Sequence, residues 1–434
     1  MTTLQTEKIR TVAKSPSHAS NGRRKLKIAY TMSRFPKLTE TFILYEILAL
    51  EKMGVQVEIF PLIHEKQSVM HPEAQKMVRR AWFLPIISLS ILAAHFHYLF
   101  HKPKAYLKVL FEVLTGTFGS LNFFLGALGL FPKTVCMALA MERLGIMHLH
   151  AHFSNHPALA ALIVHRLTGI PYSFTAHGSD LHVERRMLDR KVAASAFAVA
   201  ISQYNKKVML RECGEKMHGK IHVVHCGVDV DEFTPSQKIK NGRPFQILCV
   251  ASFEEVKGHQ YLVEACKLLV KDGISFQCHL VGYGPLKNKV RRQVKEAGLQ
   301  DKILIYSALP RPEILKMHAL ADVKVLPSVP TRQGKREGIP VVLMEAMASG
   351  LAVVSSKLSG IPELVENGET GLLVAPGDVP ALADALKWLS MDPILRKKMG
   401  EAARERVVRK FNLHKNARKL AHLFLANLNR NVGN

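Results

Sequence analysis

The sequence predicts an α/β protein made of two doubly wound parallel-sheet domains. Three observations predict it. From residue 26 onward, short apolar strand patterns alternate with helical ones, the rhythm of successive βα units. The chain has 434 residues, more than one ordinary core holds, and domains of about 150 residues favour two or three of them. A polar stretch at 235–244, "PSQKIKNGRP", carries proline at both ends and glycine inside, and divides the rhythm in two.

Residues 1–25 are polar and basic and hold no apolar h-region, so they read as a disordered tail without a signal peptide. The first domain is expected over 26–235. It opens with an apolar strand at 26–30, helix punctuation near Lys52-Met53-Gly54 and a second strand, "VQVEIF", at 55–60. "IMHLHAHF", "IPYSFTAHG", "FAVAIS" and "KIHVVHCG" supply further strands. After a linker at 236–244, the second domain (245–410) repeats the rhythm with "FQILCVAS", "QCHLVGYG", "KILIYSA", "VKVLPS", "LAVVSS" and "GLLVAP". The remainder, 411–434, reads as a basic helix that packs back toward the first domain.

Residues 81–140 interrupt the first sheet as an apolar helical insertion. Two stretches of 20 residues, 81–100 and 113–132, contain no Asp, Glu, Lys or Arg, a length that can span a bilayer. Pro85, His95, His97, Asn122 and four glycines oppose spanning. Three arrangements remain open: a two-span hairpin, helices lying in the membrane interface, and helices packed on the domain. Lys102, Lys104 and Lys108 between the stretches suit an anionic headgroup layer.

A hydrophobic content of 48% with 22% charged residues excludes a disordered chain. The formal net charge of +25 favours polyanions, anionic lipid or phosphorylated substrates. Six cysteines without C-x-x-C spacing lie in apolar runs and read as reduced core thiols, which implies a cytoplasmic compartment.

The chemistry concentrates at 337–350, "EGIPVVLMEAMASG", where two acids enter an apolar run. Pro340 fits the first turn of a helix, which leaves Glu337 and Gly338 in the loop before it and Glu345 about a turn and a half inside. A strand, "VKVLPS", leads to this loop, and parallel sheets bind ligands beyond the carboxyl ends of their strands. Helix-terminal N–H groups favour phosphate, and ionised carboxylates accept hydrogen bonds from sugar hydroxyls. The ordinary alternative is a buried glutamate paired with a lysine or arginine. His148, His150 and His152 alternate and share one strand face that can hold a metal, although no carboxylate or cysteine accompanies them in sequence; the reading favours no metal.

The segment "EGIPVVLMEAMASGLAVVSSKLSGIPELVENGETGLLV" resembles the E-x7-E region of the retaining family 4 (group 1) glycosyltransferases. The resemblance continues through "GYGP" (282–285), "VKG" (256–258), "HCGVDVDEF" (225–233), "TAHGSD" (175–180) and "SRFPKLTETFILYEI" (33–47). It is nearest to the bacterial exopolysaccharide branch of the colanic acid and amylovoran type. It implies the GT-B fold, two Rossmann-like domains facing across a cleft, and a site carried over residue by residue. His177, Lys257 and Glu337 would be catalytic. Glu337, Gly338, Ile339 and Val341 would line the donor sugar pocket, Glu345 would hold the ribose, and Lys257 the diphosphate. Ser252 and Gly282 would complete the nucleotide side. Thr39, Glu40, His152 and Asp180 are the acceptor-side candidates, with Thr39 placed to cap a helix beginning at Glu40.

Two departures stand out. Ala251-Ser252 replaces the family's Gly-Arg, which removes one of two cationic phosphate contacts, and "RFPKLTE" replaces a glycine-rich loop. The implied reaction moves a sugar from a nucleotide-diphosphate sugar to a hydroxyl of a lipid-linked oligosaccharide with retention. It needs no metal or cofactor and takes place at the inner face of the cytoplasmic membrane, on an anionic surface and without nucleic acid. Competing readings are a sugar-nucleotide epimerase, a glucan phosphorylase with lysine-bound pyridoxal phosphate, and a non-enzymatic basic protein that binds membrane or nucleic acid.

Overall fold

The structure, a computed structural model, describes residues 26–37, 40–65, 72–85, 88–235 and 242–432. The expected basic tail, Thr39 and linker residues 236–241 lie outside them. The chain forms two compact units. The first runs to Ala200 and adds Lys206–Val224 and the residues from Ala417; the second holds Ile201–Asn205 and His225–Asn416.

The strands of the first unit are β1 (Lys27–Thr31), β2 (Arg34–Phe35), β3 (Gln56–Ile59), β4 (Ile63–His64), β5 (His148–His152), β6 (Tyr172–Ala176), β7 (Phe197–Ala200) and β8 (Ile221–Val223). Six of them make a parallel sheet in the order β3-β1-β5-β6-β7-β8, and β2 pairs with β4 in a separate parallel ribbon. At two residues each, β2 and β4 are too short to leave a periodic signal. Every residue of β5, β6 and β7 is buried, as expected of a parallel sheet covered on both faces. Part of the cover comes from the last helix, Leu413–Val432, whose Leu420, Ala421 and Phe424 pack with Ile28, Tyr30 and Phe197.

The first unit closes at Val224 and not at 235. Strand β8 ends at Val223, and from Val228 the chain packs elsewhere. The Val228 N–H donates to Phe411 O at 2.9 Å, Leu413 N–H donates to Val228 O at 3.0 Å, and Val228, Val230 and Phe233 enter the core of the second unit. The polar stretch at 235–244 therefore follows the boundary. Its composition reports solvent, while the apolar residues before it decide where the chain belongs.

The insertion forms three helices, Leu89–His101, Pro103–Thr117 and Leu121–Arg143. By length and composition the third is able to cross a membrane, with a mean hydropathy of 1.7 over its most apolar window. Yet 61% of that window is buried inside the protein. Lys133, within it, is buried and its Nζ donates to Leu62 O at 2.6 Å. Here the helix serves as a core element of the first unit.

The second unit is built on β9 (Phe245–Val250), β10 (Phe276–Val281), β11 (Ile303–Tyr306), β12 (Val323–Leu326), β13 (Ala352–Ser356) and β14 (Gly371–Val374). They form one parallel sheet ordered β11-β10-β9-β12-β13-β14. The chain moves outward from β9 to β11, then returns to place β12 on the other side of β9. That reversal opens a crevice at the carboxyl ends of β9 and β12. The first sheet reverses in the same way between β1 and β5. The six cysteines form no disulfides, and Cys136, Cys213, Cys249, Cys266 and Cys278 are buried.

Candidate active site

In the second unit the site grows from the loops that follow β9 and β12. After β9 the chain makes a single 3-10 turn, Glu255–Lys257, and reaches Gly258 with φ 70°. A Cβ at Gly258 would fall on the carbonyl oxygen of Pro327, the residue after β12, so glycine lets the two loops close on each other. Gly282, after β10, meets the Ala251 carbonyl in the same manner.

This closure brings Lys257 to Glu337. Their Nζ and Oε2 form an ion pair, with 21% and 15% of the side chains exposed. Gly338 and Ile339 are buried behind Glu337, and Val341 opens the helix Val341–Ala348. Pro340 is the N-cap and does not occupy the first turn. Its carbonyl accepts from Leu343 N–H at 3.1 Å, so the helix starts one residue later than the proline pattern indicates. The first N–H groups of such a helix have no partner within it.

Glu345 lies one turn inside, half-buried. Burial pushes its carboxyl pKa up, Arg311 and Lys324 pull it down, and Glu232 pushes it up again. Lys324, on β12, is fully buried and is lowered to about 8 by that burial. Its Nζ stands 3.3 Å from His318 Nε2. Arg311 grips both carboxylate oxygens of Glu232 and lies 4.8 Å from the centre of the Phe233 ring. The acids in the apolar run thus sit among cations that are buried or half-buried.

Ser252 Oγ donates to Glu254 Oε1 at 3.1 Å, and Lys335 Nζ donates to Glu254 Oε2 at 2.5 Å. Burial raises the Glu254 carboxyl, but Lys335, Ser252 and Lys257 together outweigh it and the net shift is downward. Lys335 is therefore a second cation near the departure at Ser252. Sequence reasoning passed over it, although "RQGKRE" places three basic residues just ahead of Glu337.

The first unit gathers a chain of hydrogen bonds at the ends of β5 and β6. His152 Nδ1 lies 3.0 Å from His177 Nε2, and His152 Nε2 lies 3.1 Å from Glu46 Oε1, which also accepts from Tyr30 OH at 2.8 Å. Burial, then the neighbouring His152, holds the His177 pKa well below the imidazole range. Asp180 is buried, and its carboxylate accepts from the backbone N–H of Gly178 at 2.7 Å, His177 at 3.1 Å and Ser154 at 2.8 Å, which fixes the loop bearing His177. His152 is likewise fully buried, and its two ring nitrogens meet His177 and Glu46.

Glu40 accepts from Lys37 at 2.5 Å, and burial raises its carboxyl against that pairing. The helix it was expected to begin starts at Thr41, with Glu40 as N-cap. Glu46, His150 and His152 offer ligand atoms within 4.8 Å of one another. Hydrogen bonds already occupy those nitrogens: His150 meets Ser173 at 2.8 Å and Thr175 at 3.0 Å, and His152 meets His177 and Glu46.

Two parallel-sheet units, each with polar side chains at its topological reversal, define the GT-B fold. The model of the glycosyl transferases group 1 matches residues 230–406, and that of Glycosyltransferase Family 4 matches residues 39–232. The chain is 30% identical to a protein of Salmonella typhimurium described as a colanic acid biosynthesis glycosyltransferase, WcaL, over 92% of this chain and 99% of the relative. It is 35% identical to the amylovoran biosynthesis glycosyltransferase AmsK of Erwinia amylovora, over 57% of this chain and 62% of that one. The crystal structure of HepE from Anabaena in complex with UDP-glucose superimposes with a TM-score of 0.68 at 16% identity, covering 92% of this chain and 99% of that one. The chain belongs to the group 1, family 4 glycosyltransferases.

Proposed function

We propose that this glycosyltransferase moves a sugar from a nucleotide-diphosphate sugar to a hydroxyl of a lipid-linked oligosaccharide during exopolysaccharide synthesis, keeping the anomeric configuration. The observation that carries the reading is the Lys257–Glu337 ion pair set beside the N-terminus of the helix that holds Glu345. A diphosphate arriving there exchanges places with the Glu337 carboxylate on Lys257. That releases Glu337 to accept from a sugar hydroxyl, and Glu345 accepts from the ribose.

Lys257, Lys335 and the unpaired helix N–H groups oppose the negative charge that grows on the departing phosphate. No metal or cofactor is required, because these groups supply the positive field. His177, neutral through burial, would touch the donor sugar. The leaving phosphate would take the acceptor's proton as the acceptor attacks from the same face. The WcaL and AmsK relatives, named for exopolysaccharide synthesis, and the UDP-glucose held by the Anabaena structure support the choice of product and donor. A lipid-linked acceptor places the enzyme at the inner face of the cytoplasmic membrane.

The test is a thermal-shift screen of UDP-, GDP- and ADP-sugars with wild type and Glu345→Ala. One donor is expected to stabilise the wild type, and the substitution to shrink that shift. Equal shifts in both proteins would remove the ribose role. Retention is checked by the anomeric coupling of the product.

A further inference from the structure

The three helices of the insertion, which span Leu89–Arg143, keep a full set of apolar side chains outside the core. On Leu89–His101, the residues Leu89, Leu92, Phe96 and Phe100 recur every three or four positions and face solvent, with Leu89 83% and Phe100 78% exposed. Leu107 and Phe111 do the same on Pro103–Thr117. Phe118, in the turn that follows, and Leu121 and Leu125 continue the pattern onto Leu121–Arg143. The inward faces are already filled, for instance by Tyr98, Val109 and Phe131, and the helices pack on one another. A lone exposed leucine is ordinary, but a repeated apolar face on three consecutive helices marks an interaction surface.

Charge selects the occupant. Lys104 and Lys108 are exposed on the same helix as Leu107 and Phe111. The Arg186 guanidinium donates to Gly119 O at 2.9 Å, between Phe118 and Leu121. The one acid within residues 89–141, Glu112, is paired with Arg166 at 3.0 Å. Apolar side chains edged by cations and free of unpaired acids match an anionic bilayer, whose acyl boundary takes the phenylalanines and whose phosphates take the lysines. A second copy using this face symmetrically would set those cations against themselves.

We propose that this three-helix face docks the protein onto an anionic lipid bilayer, lying in its interface without crossing it. The inference deepens the lipid-linked reading above and rests on it for its purpose. Crossing would pull Lys133 off Leu62 O and strip the inner half of Leu121–Arg143 from the core.

The test is co-sedimentation of the full chain with vesicles of phosphatidylcholine, alone or with phosphatidylglycerol. Binding is expected only with phosphatidylglycerol and is expected to weaken as salt rises. The triple variant Phe96→Ser, Phe100→Ser, Phe111→Ser should lower partitioning by roughly tenfold or more. Lys104→Glu with Lys108→Glu should abolish the preference for phosphatidylglycerol. Because all five residues are exposed or half-exposed, both variants should keep the wild-type melting curve. Equal binding to both vesicles, partitioning that survives the serines, or a lipid-free dimer that the serines dissolve would each overturn the proposal. Vesicle binding in a protein that shows no nucleotide-sugar shift would support the docking face and sink the donor reading alone.

Discussion

His152 Nδ1 stands 3.0 Å from His177 Nε2, and this contact sets which nitrogen of each ring carries the proton. An ionised carboxylate only accepts, so Glu46 calls for a proton on His152 Nε2. His152 Nδ1 is then an acceptor, and His177 donates from Nε2. Glu46 is a positioning residue for His177. Replacing it with leucine frees His152 to adopt either tautomer, and kcat should fall by roughly tenfold, while Glu46→Gln, whose amide oxygen still accepts, recovers most of it. Steady-state kinetics of both variants provide the check; equal loss in both would point to packing.

On the proposed mechanism, Lys257→Ala should lower kcat by about 100-fold or more, because it would remove positive charge from the departing phosphate. Lys257→Arg should retain part of the rate. Single-turnover measurements with saturating donor separate this effect from donor binding, and a variant slowed only through KM would rule out the leaving-group role.

Lys191 is fully buried with Nζ 2.5 Å from Ser154 O, and burial pushes its pKa down to about 7 despite Asp180, Glu184 and Asp189. In the unfolded chain it titrates near the ordinary lysine value of 10.5. Below about 7 both states hold the proton and the full cost of burying charge is present. Between there and 10.5 only the unfolded state holds it, so this group's opposition to folding fades as pH rises. Wild type should therefore gain stability relative to Lys191→Met between pH 7 and about pH 10 in chemical denaturation. Parallel profiles would contradict the shift.

Gly258→Ala places a Cβ against the Pro327 carbonyl and forces φ 70° on a residue that resists it. A loss on the order of 2 kcal/mol or more is expected, read as a lower melting temperature, together with a smaller donor-induced shift because Lys257 moves with the turn. An unchanged melting curve would mean that the two loops do not touch in solution.

The twelve strands of the two main sheets were legible because each is an apolar run between turn signals, and parallel strands buried on both faces announce themselves by composition. The β2–β4 ribbon was not, since two residues carry no period. Lys257, Glu337 and Glu345 were found from a local motif. Their cationic neighbours were not, because Arg311, Lys324 and Lys335 approach through the sheet order and not through sequence spacing. The protein partners of His152 and Asp180 were not legible either, because alternation along a strand does not reveal which side chains meet when both faces of the sheet are covered.

The helix that carries Phe424 has a consequence for biosynthesis. Its side chains lie against His148 and His150, with ring centres 5.1 Å and 5.3 Å apart, on a sheet whose strands leave the ribosome long before it does. At about 5–20 residues per second, that sheet waits on the order of tens of seconds with one face open to chaperones or to wrong neighbours. Nascent chains stalled ahead of residue 413 should accordingly be sensitive to protease in the half translated first.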